Sequence, residues 1–180
     1  MSRIRLTSFN GAVGKLKHLY KKVIAPSNNV DSIIKSHGLR SHTMVRDMLL
    51  YKNALYGNSN TLPKWYLETL GIYVSLLNEC GCCVARYFSR LKRILKDSDK
   101  FYPLKKALES KTFESFFEAT DSQEIRYAVK LTNRVSKVAE RIINPLRKKG
   151  LKDGEVLEIN QVVSYFNDAN RTVLDLGVST

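Results

Sequence analysis

The stretch NTLPKWYLETLGIYVSLLNECGCCVARYF, residues 60–88, decides the fold. Within it Leu67, Leu70, Val74 and Leu77 recur at steps of three and four residues, the spacing of one face of an α-helix. The segment 61–79 is apolar enough that we expect its helix at the centre of the molecule. Gly71 interrupts this helix, and a residue without a side chain there allows a second helix to pack closely.

The rest of the chain is patterned as further helices. Asp31 is the first residue of DSIIKSH and a candidate N-cap, and Gly57 and Gly150 end helical segments. We find no segment with the two-residue period of a strand. The sequence therefore predicts an all-α bundle of seven or eight helices over residues 31–180. Residues 1–30 contain the turn-rich APSNN and predict an irregular, basic N-terminal arm.

Composition bounds the class of protein. The chain has 180 residues, of which 43% are hydrophobic and 26% charged, as in a soluble globular domain. The sequence contains no run of eighteen apolar residues, so a membrane span is not predicted and we expect no membrane partner. The N-terminus is basic but lacks the apolar core of a secretory signal. The expected location is the cytoplasm.

The net charge of +13 raises the question of a nucleic-acid partner. The first 22 residues carry six Lys and Arg and no acid. No aromatic residues are interleaved with these charges in a known nucleic-acid-binding motif, so a solvated basic surface is the favoured interpretation. The alternative hypothesis is a helical protein without enzymatic activity that binds nucleic acid through this surface.

All three cysteines fall within residues 80–83. An odd, clustered set does not fit a secreted disulfide framework, and points to redox chemistry or metal binding. Cys80 and Cys83 form a C-x-x-C pair, with Cys83 expected in the first turn of a helix, which brings the two sulfurs within reach of a disulfide. The helix N-terminus and Arg86 would favour the thiolate, which attacks peroxides and disulfides.

Other interpretations of this segment stay open at this stage. The cysteines could be buried structural residues. A zinc site would need His18, His37 or His42 to complete it, and their spacing is too loose to favour that. Glu68 lies twelve residues before Cys80. It is either a buried proton acceptor or a solvent-facing residue of an amphipathic helix.

Two separated motifs resemble one known family. Glu68, Asn78, Cys80 and Cys83 match in register the motif of the AhpD-like (carboxymuconolactone decarboxylase-type) alkyl hydroperoxidases. The tail LEINQVVSYFNDANRTVLDLGV, residues 157–178, is similar to the end of their peroxidase-related subgroup. The resemblance extends over about residues 30–178. It implies an AhpD-like all-α fold, assembly into a homo-oligomer (dimer, trimer or hexamer), and thiol-dependent reduction of hydroperoxides in antioxidant defence, without cofactor or metal.

The resemblance also implies roles for individual residues. Cys83 would be the peroxidatic thiol, Cys80 the resolving thiol, and Glu68 the base that deprotonates them. An external thiol or electron-donor protein would then reduce the disulfide. The family's histidine falls on Tyr87, a poor base at neutral pH, which predicts weakened peroxidase activity or a general disulfide reductase. A lyase of the decarboxylase branch is disfavoured, because its chemistry does not call for two cysteines in this register.

Polar residues of the last helix are further candidates for the site. Tyr165, Asn167, Asn170 and Arg171 could line a site or hold helix ends together. Their spacing places them on more than one helix face. Packing and hydrogen bonds between helices are therefore the favoured interpretation.

Overall fold

The fold is all-α, as predicted. The computed structural model describes residues 2–23, 30–110, 112 and 122–178, and within these ranges it has nine α-helices and no strand. The helices are α1 (Gly14–Val23), α2 (Ser32–His37), α3 (Ser41–Tyr56), α4 (Lys64–Leu77), α5 (Gly81–Leu95), α6 (Ser98–Glu109), α7 (Ser122–Asn133), α8 (Glu140–Lys148) and α9 (Asp153–Asp175). A 3-10 turn, Val135–Lys137, links α7 to α8. None of the helices in the described ranges combines the length and apolarity needed to cross a bilayer.

Helix α4 is the centre of the fold, which confirms the prediction for residues 61–79. All ten residues from Tyr66 to Ser75 are buried. The helix packs against α3, α5, α7 and α9. A side chain at Gly71 would overlap the ring of Phe166 in α9, so the absence of one allows the two helices to approach closely. The predicted reason for this glycine is confirmed.

The prediction of an irregular N-terminal arm is wrong for residues 14–23, which form α1. Leu19 and Tyr20 of α1 pack in a small apolar cluster with Met44 of α3. The Tyr20 hydroxyl donates to the carbonyl of Thr7 at 2.8 Å, which ties the preceding segment to the helix. The helix is strongly basic, and its short apolar stripe is easily overlooked in the sequence. A domain boundary at residue 30 stays a prediction.

Asp31 stands directly before α2 as expected, but its side chain makes no capping hydrogen bond. It forms an ion pair with Arg86 of α5 instead. The pair joins the start of α2 to α5, two elements that are far apart in sequence. The predicted cap is therefore corrected, because a tertiary partner has replaced the local one.

Candidate active site

The turn between α4 and α5 positions the cysteines. Asn78 ends α4, and Glu79 follows in the left-handed conformation with φ 57°. The amide of Cys80 then donates to the carbonyl of Ser75 at 2.9 Å. A non-glycine residue in this conformation costs about 1 to 3 kcal/mol, which the packing on both sides must offset. The reversal places Cys80 immediately before the first turn of α5.

Cys80 and Cys83 form a disulfide, with their Cα atoms 5.3 Å apart. The predicted proximity of the two sulfurs is thus confirmed. Cys80 is completely buried, whereas Cys83 is 6% exposed and lines a cavity. The two cysteines therefore differ in access, and a molecule in the cavity meets Cys83.

Cys82 is the free thiol of the cluster. It is half-buried and lines the same cavity, and its Sγ lies 3.8 Å from the Sγ of Cys80. The three sulfurs lie within 4.8 Å of one another, the spacing of a possible metal-ligand group. The histidines of the described residues do not join this group. Metal binding would compete with the disulfide, since thiolates are the ligands.

The cavity beside Cys83 has a volume of about 100 Å³. Its wall is built from α2, α3, α5, α9 and the segment after α9. The polar or charged side chains in this wall are those of Asp31, Ser32, Asp47, Tyr51, Arg86, Tyr87, Arg90 and Tyr165. The remaining wall is mainly aliphatic. Cys83 thus faces a small cavity with mainly apolar walls and a few polar groups.

Glu68 is fully buried in α4, so the solvent-facing interpretation is wrong. Its Oε1 accepts a hydrogen bond from the hydroxyl of Tyr56, and the hydroxyl of Tyr51 lies 3.5 Å from the same oxygen. Its Oε2 has no hydrogen-bond partner among the described residues. Burial raises the pKa of Glu68 to about 7, although the Tyr56 hydrogen bond and the charge of Arg93 both lower it.

Tyr51 connects Glu68 to the cavity, because its side chain both lines the cavity and approaches the carboxylate. Neither Tyr51 nor Tyr56 was predicted from the sequence as a site residue. Both lie in α3, and their proximity to Glu68 depends on how α3 packs against α4. Burial, then the hydrogen bond to Glu68, raises the pKa of Tyr56 far above its ordinary value, so its hydroxyl stays a donor.

Tyr87 lines the cavity one helical turn after Cys83, on the same face of α5. Its ring packs against Phe166 with centroids 4.6 Å apart. Burial raises the pKa of Tyr87 to about 12. The side chains of Tyr87 and Tyr165 are hydrogen-bonded to each other. Tyr87 therefore offers a neutral hydroxyl beside Cys83, where the family motif has histidine.

No protein-family model matches the sequence, and the search of the curated proteins finds no similar chain. Among solved structures, the chain resembles an uncharacterized peroxidase-related protein from Silicibacter sp. TM1040, with TM-score 0.80, 18% identity, and coverage of 98% of this chain and 90% of that one. It also resembles a structure described as an alkylhydroperoxidase AhpD core, an uncharacterized peroxidase-related protein from Ralstonia eutropha JMP134, with TM-score 0.81, 17% identity and the same coverage.

The chain has the AhpD-like fold. The fold implied by the two sequence motifs is thereby confirmed. At this level of identity the likeness establishes the architecture, and the chemistry of the site has to be argued from the residues themselves. Each of the two structures is matched over nearly its whole length, so the site described above lies within the shared architecture.

Within the AhpD-like fold, amide side chains tie α9 to the end of α4. The Asn78 amide donates to Asn167 Oδ1 at 3.0 Å and to Asn170 Oδ1 at 3.1 Å. Asn170 donates in turn to Ser75, and Arg171 to Asn167. The favoured interpretation as links between helices is confirmed for Asn167 and Asn170, whereas the hydrogen bonds of Arg171 stay within α9. Tyr165 differs, because it lines the cavity.

Proposed function

We propose that this chain is a thiol-dependent peroxidase that reduces organic hydroperoxides with the Cys80–Cys83 pair, as part of antioxidant defence. The observation that carries the proposal is that Cys83 is bonded to Cys80 and is also open to the cavity. Cys83 is thus the attacking thiol and the buried Cys80 the resolving thiol. The peroxidase-related descriptions of the two fold neighbours support the same class of reaction.

The reaction has two steps. The Cys83 thiolate attacks the terminal oxygen of the hydroperoxide, the O–O bond breaks, and the alkoxide leaves with a proton as alcohol. Cys83 is left as a sulfenic acid. The Cys80 sulfur then attacks the Cys83 sulfur, water leaves, and the disulfide forms. An external dithiol returns two electrons by thiol–disulfide exchange, and the pair is ready again.

In this proposal Glu68 accepts the proton of the thiol and later returns it. A carboxyl group with a pKa of about 7 can both accept and return a proton at neutral pH. It takes the thiol proton through Tyr51, which reaches from Glu68 to the cavity, or through a bridging water. The first turn of α5 stabilises the thiolate of Cys83. Tyr87 donates a hydrogen bond on the cavity side, which assists the departing oxygen.

The test is consumption of an organic hydroperoxide by the purified protein with a dithiol donor. Cys83→Ser removes the attacking sulfur, and its rate is expected to fall to that of the donor alone. Cys82→Ser, at the preceding position, is the matched control and is expected to retain most of the rate. Equal rates for the wild-type protein and Cys83→Ser would reject the proposal. Rapid thiol–disulfide exchange with external disulfides, without consumption of peroxide, would instead support the alternative of a general disulfide reductase.

Three further expectations belong to this proposal. The reductant is an external thiol or an electron-donor protein, and recycling the disulfide requires a reducing compartment such as the cytoplasm. Assembly into a dimer, trimer or hexamer is measured by light scattering of the purified protein. Activity without added metal or organic cofactor is expected, and repeating the assay with a chelator checks this.

A further inference from the structure

Arg90 is a cation of the cavity wall for which the described residues provide no carboxylate partner. It lies in α5, half-buried, and its guanidinium sits 5.0 Å from the centroid of the Tyr51 ring. Within the described ranges no carboxylate forms an ion pair with it and no acceptor takes its hydrogen bonds. Burial lowers the pKa of Arg90, which reflects the cost of holding this charge away from water.

In the described ranges, the cavity wall contains three further charged groups, which are Asp31, Arg86 and Asp47. Arg86 is paired with Asp31 at the start of α2. Asp47 in α3 is buried, and burial raises its pKa. Among the described residues no ion pair joins Asp47 to Arg90. In the part of the chain that the structure describes, Arg90 is therefore the positive group of the wall that no carboxylate pairs with.

This group is aligned with the reactive sulfur. Cys83, Tyr87 and Arg90 follow one another at steps of four and three residues on one face of α5. Seven residues of helix separate the Cα atoms of Cys83 and Arg90 by about 10 Å. Long side chains in a helix point back towards its N-terminus, which carries the guanidinium towards Cys83. The wall of the same cavity includes the apolar side chains of Ile33, Met48 and Val173.

We propose that the cavity takes a small organic hydroperoxide that carries a carboxylate, with the carboxylate on Arg90 and the peroxide at Cys83. The guanidinium fork matches a carboxylate with two parallel hydrogen bonds, and the Tyr51 ring holds it in position. A volume of about 100 Å³ encloses only a short carbon chain between the two ends. This assignment of substrate class rests on the proposed function of the Cys80–Cys83 pair.

The first test compares ω-hydroperoxyhexanoate with its neutral methyl ester as substrates. We expect the wild-type protein to favour the carboxylate by about tenfold or more in kcat/KM, the effect of a hydrogen-bonded ion pair. In Arg90→Gln this preference is expected to fall to near one. Lys92→Gln removes the same charge from α5 outside the cavity, and its preference should stay that of the wild type. An equal preference in the wild-type protein and Arg90→Gln would overturn the proposal.

The second test is independent of turnover. Calorimetry measures hexanoate and hexanol binding to the disulfide form of the wild-type protein, Arg90→Gln and Lys92→Gln, each checked for helix content by circular dichroism. Hexanoate should bind the wild-type protein and Lys92→Gln about tenfold more tightly than Arg90→Gln. Absence of hexanoate binding, or equal binding to all three, would overturn the proposal. If hexanoate binds through Arg90 while no hydroperoxide is consumed, the anion site stands and the peroxidase function fails.

Discussion

Two buried carboxylates of this fold have similar burial and different neighbours. Glu68 in α4 is 0% exposed and Glu124 in α7 is 2% exposed, and each has an Oε2 without a hydrogen-bond partner among the described residues. Glu124 Oε1 accepts from the ammonium of Lys149 at 2.6 Å. Glu68 Oε1 accepts from the hydroxyl of Tyr56. The comparison shows that the neighbour, more than the burial, decides what a buried acid can do.

The lysine neutralises Glu124 and joins α7 to the end of α8, so this carboxylate is part of the scaffold. The tyrosine offers Glu68 a dipole without a charge, and burial then dominates its pKa. A carboxyl group that titrates near neutrality can exchange protons with a thiol. Glu68 is therefore suited to the reaction and Glu124 to the fold.

The largest expected effect is on hydroperoxide reduction, which should depend on Glu68 and not on Glu124. Glu68→Gln keeps the shape of the side chain and its hydrogen bond from Tyr56 but removes the proton acceptor, so hydroperoxide reduction should slow by about 100-fold or more. Glu124→Gln should keep the specific activity of its folded fraction within about twofold, because it lies outside the cavity. The measurement is kcat/KM at neutral pH. A rate loss of the same size in both variants would remove the distinction.

A second effect is on stability as a function of pH. The folded chain holds the Glu68 proton up to about pH 7, whereas the unfolded chain releases it near the ordinary pKa of 4.5. The folded state therefore binds more protons between these values, and its stability falls as the pH rises through them. The free-energy difference between Glu68→Gln and the wild-type protein should grow in favour of Gln by the order of 3 kcal/mol from pH 4 to pH 8.

Urea unfolding at several pH values measures this difference. The comparison with Gln cancels the titration of all other groups that the two proteins share. A difference that is flat with pH would show that Glu68 titrates as an ordinary exposed carboxyl group, which would remove it as the proton acceptor.

The third effect is a loss of stability at the scaffold acid. Glu124→Gln removes the carboxylate that contacts the Lys149 ammonium, and the free energy of unfolding should fall by about 2 kcal/mol, less than for a fully buried pair because Lys149 is 21% exposed. Adding Lys149→Met to this variant should restore part of the loss, since no buried charge remains. Urea unfolding at pH 7 is the measurement. A double variant less stable than the single one would contradict this account of the pair.

The smallest effect concerns the tyrosine beside Glu68. The Tyr56 hydrogen bond lowers the pKa of Glu68, so Tyr56→Phe should move the pH midpoint of peroxidase activity upwards by about one pH unit or less. Tyr66→Phe is a control on a buried tyrosine that lies outside the cavity. It should leave the midpoint in place. A downward shift in Tyr56→Phe would mean that this hydroxyl does not stabilise the ionised carboxylate.

The sequence was sufficient for those features that depend on local spacing. The apolar run around Leu70 gave the central helix, Gly71 its close contact, and the three-residue step from Cys80 to Cys83 the sulfur pair. The buried state of Glu68 was one of two open interpretations, suggested by Leu67 and Leu70 beside it, and the spacing alone did not decide between them. These signals act within a few helical turns, where residue spacing fixes geometry.

Contacts between distant elements were not predictable in the same way. The approach of Tyr51 and Tyr56 to Glu68 depends on the packing of α3 against α4, and the pairing of Asp31 with Arg86 depends on where α2 lies. Arg90 gave no signal in the sequence beyond another positive charge on a basic helix. The role proposed for Arg90 depends on its position in the cavity wall and on the absence of a carboxylate partner among the described residues.

Thiol titration before and after one equivalent of organic hydroperoxide tests the central claim most directly. The reduced chain has three thiols, and peroxide should leave one. Cys82→Ser should fall from two thiols to none, and Cys83→Ser should keep both of its thiols over the same time. Three thiols remaining in the wild-type protein, or a loss of both thiols from Cys83→Ser at the wild-type rate, would contradict a peroxidatic Cys83 resolved by Cys80.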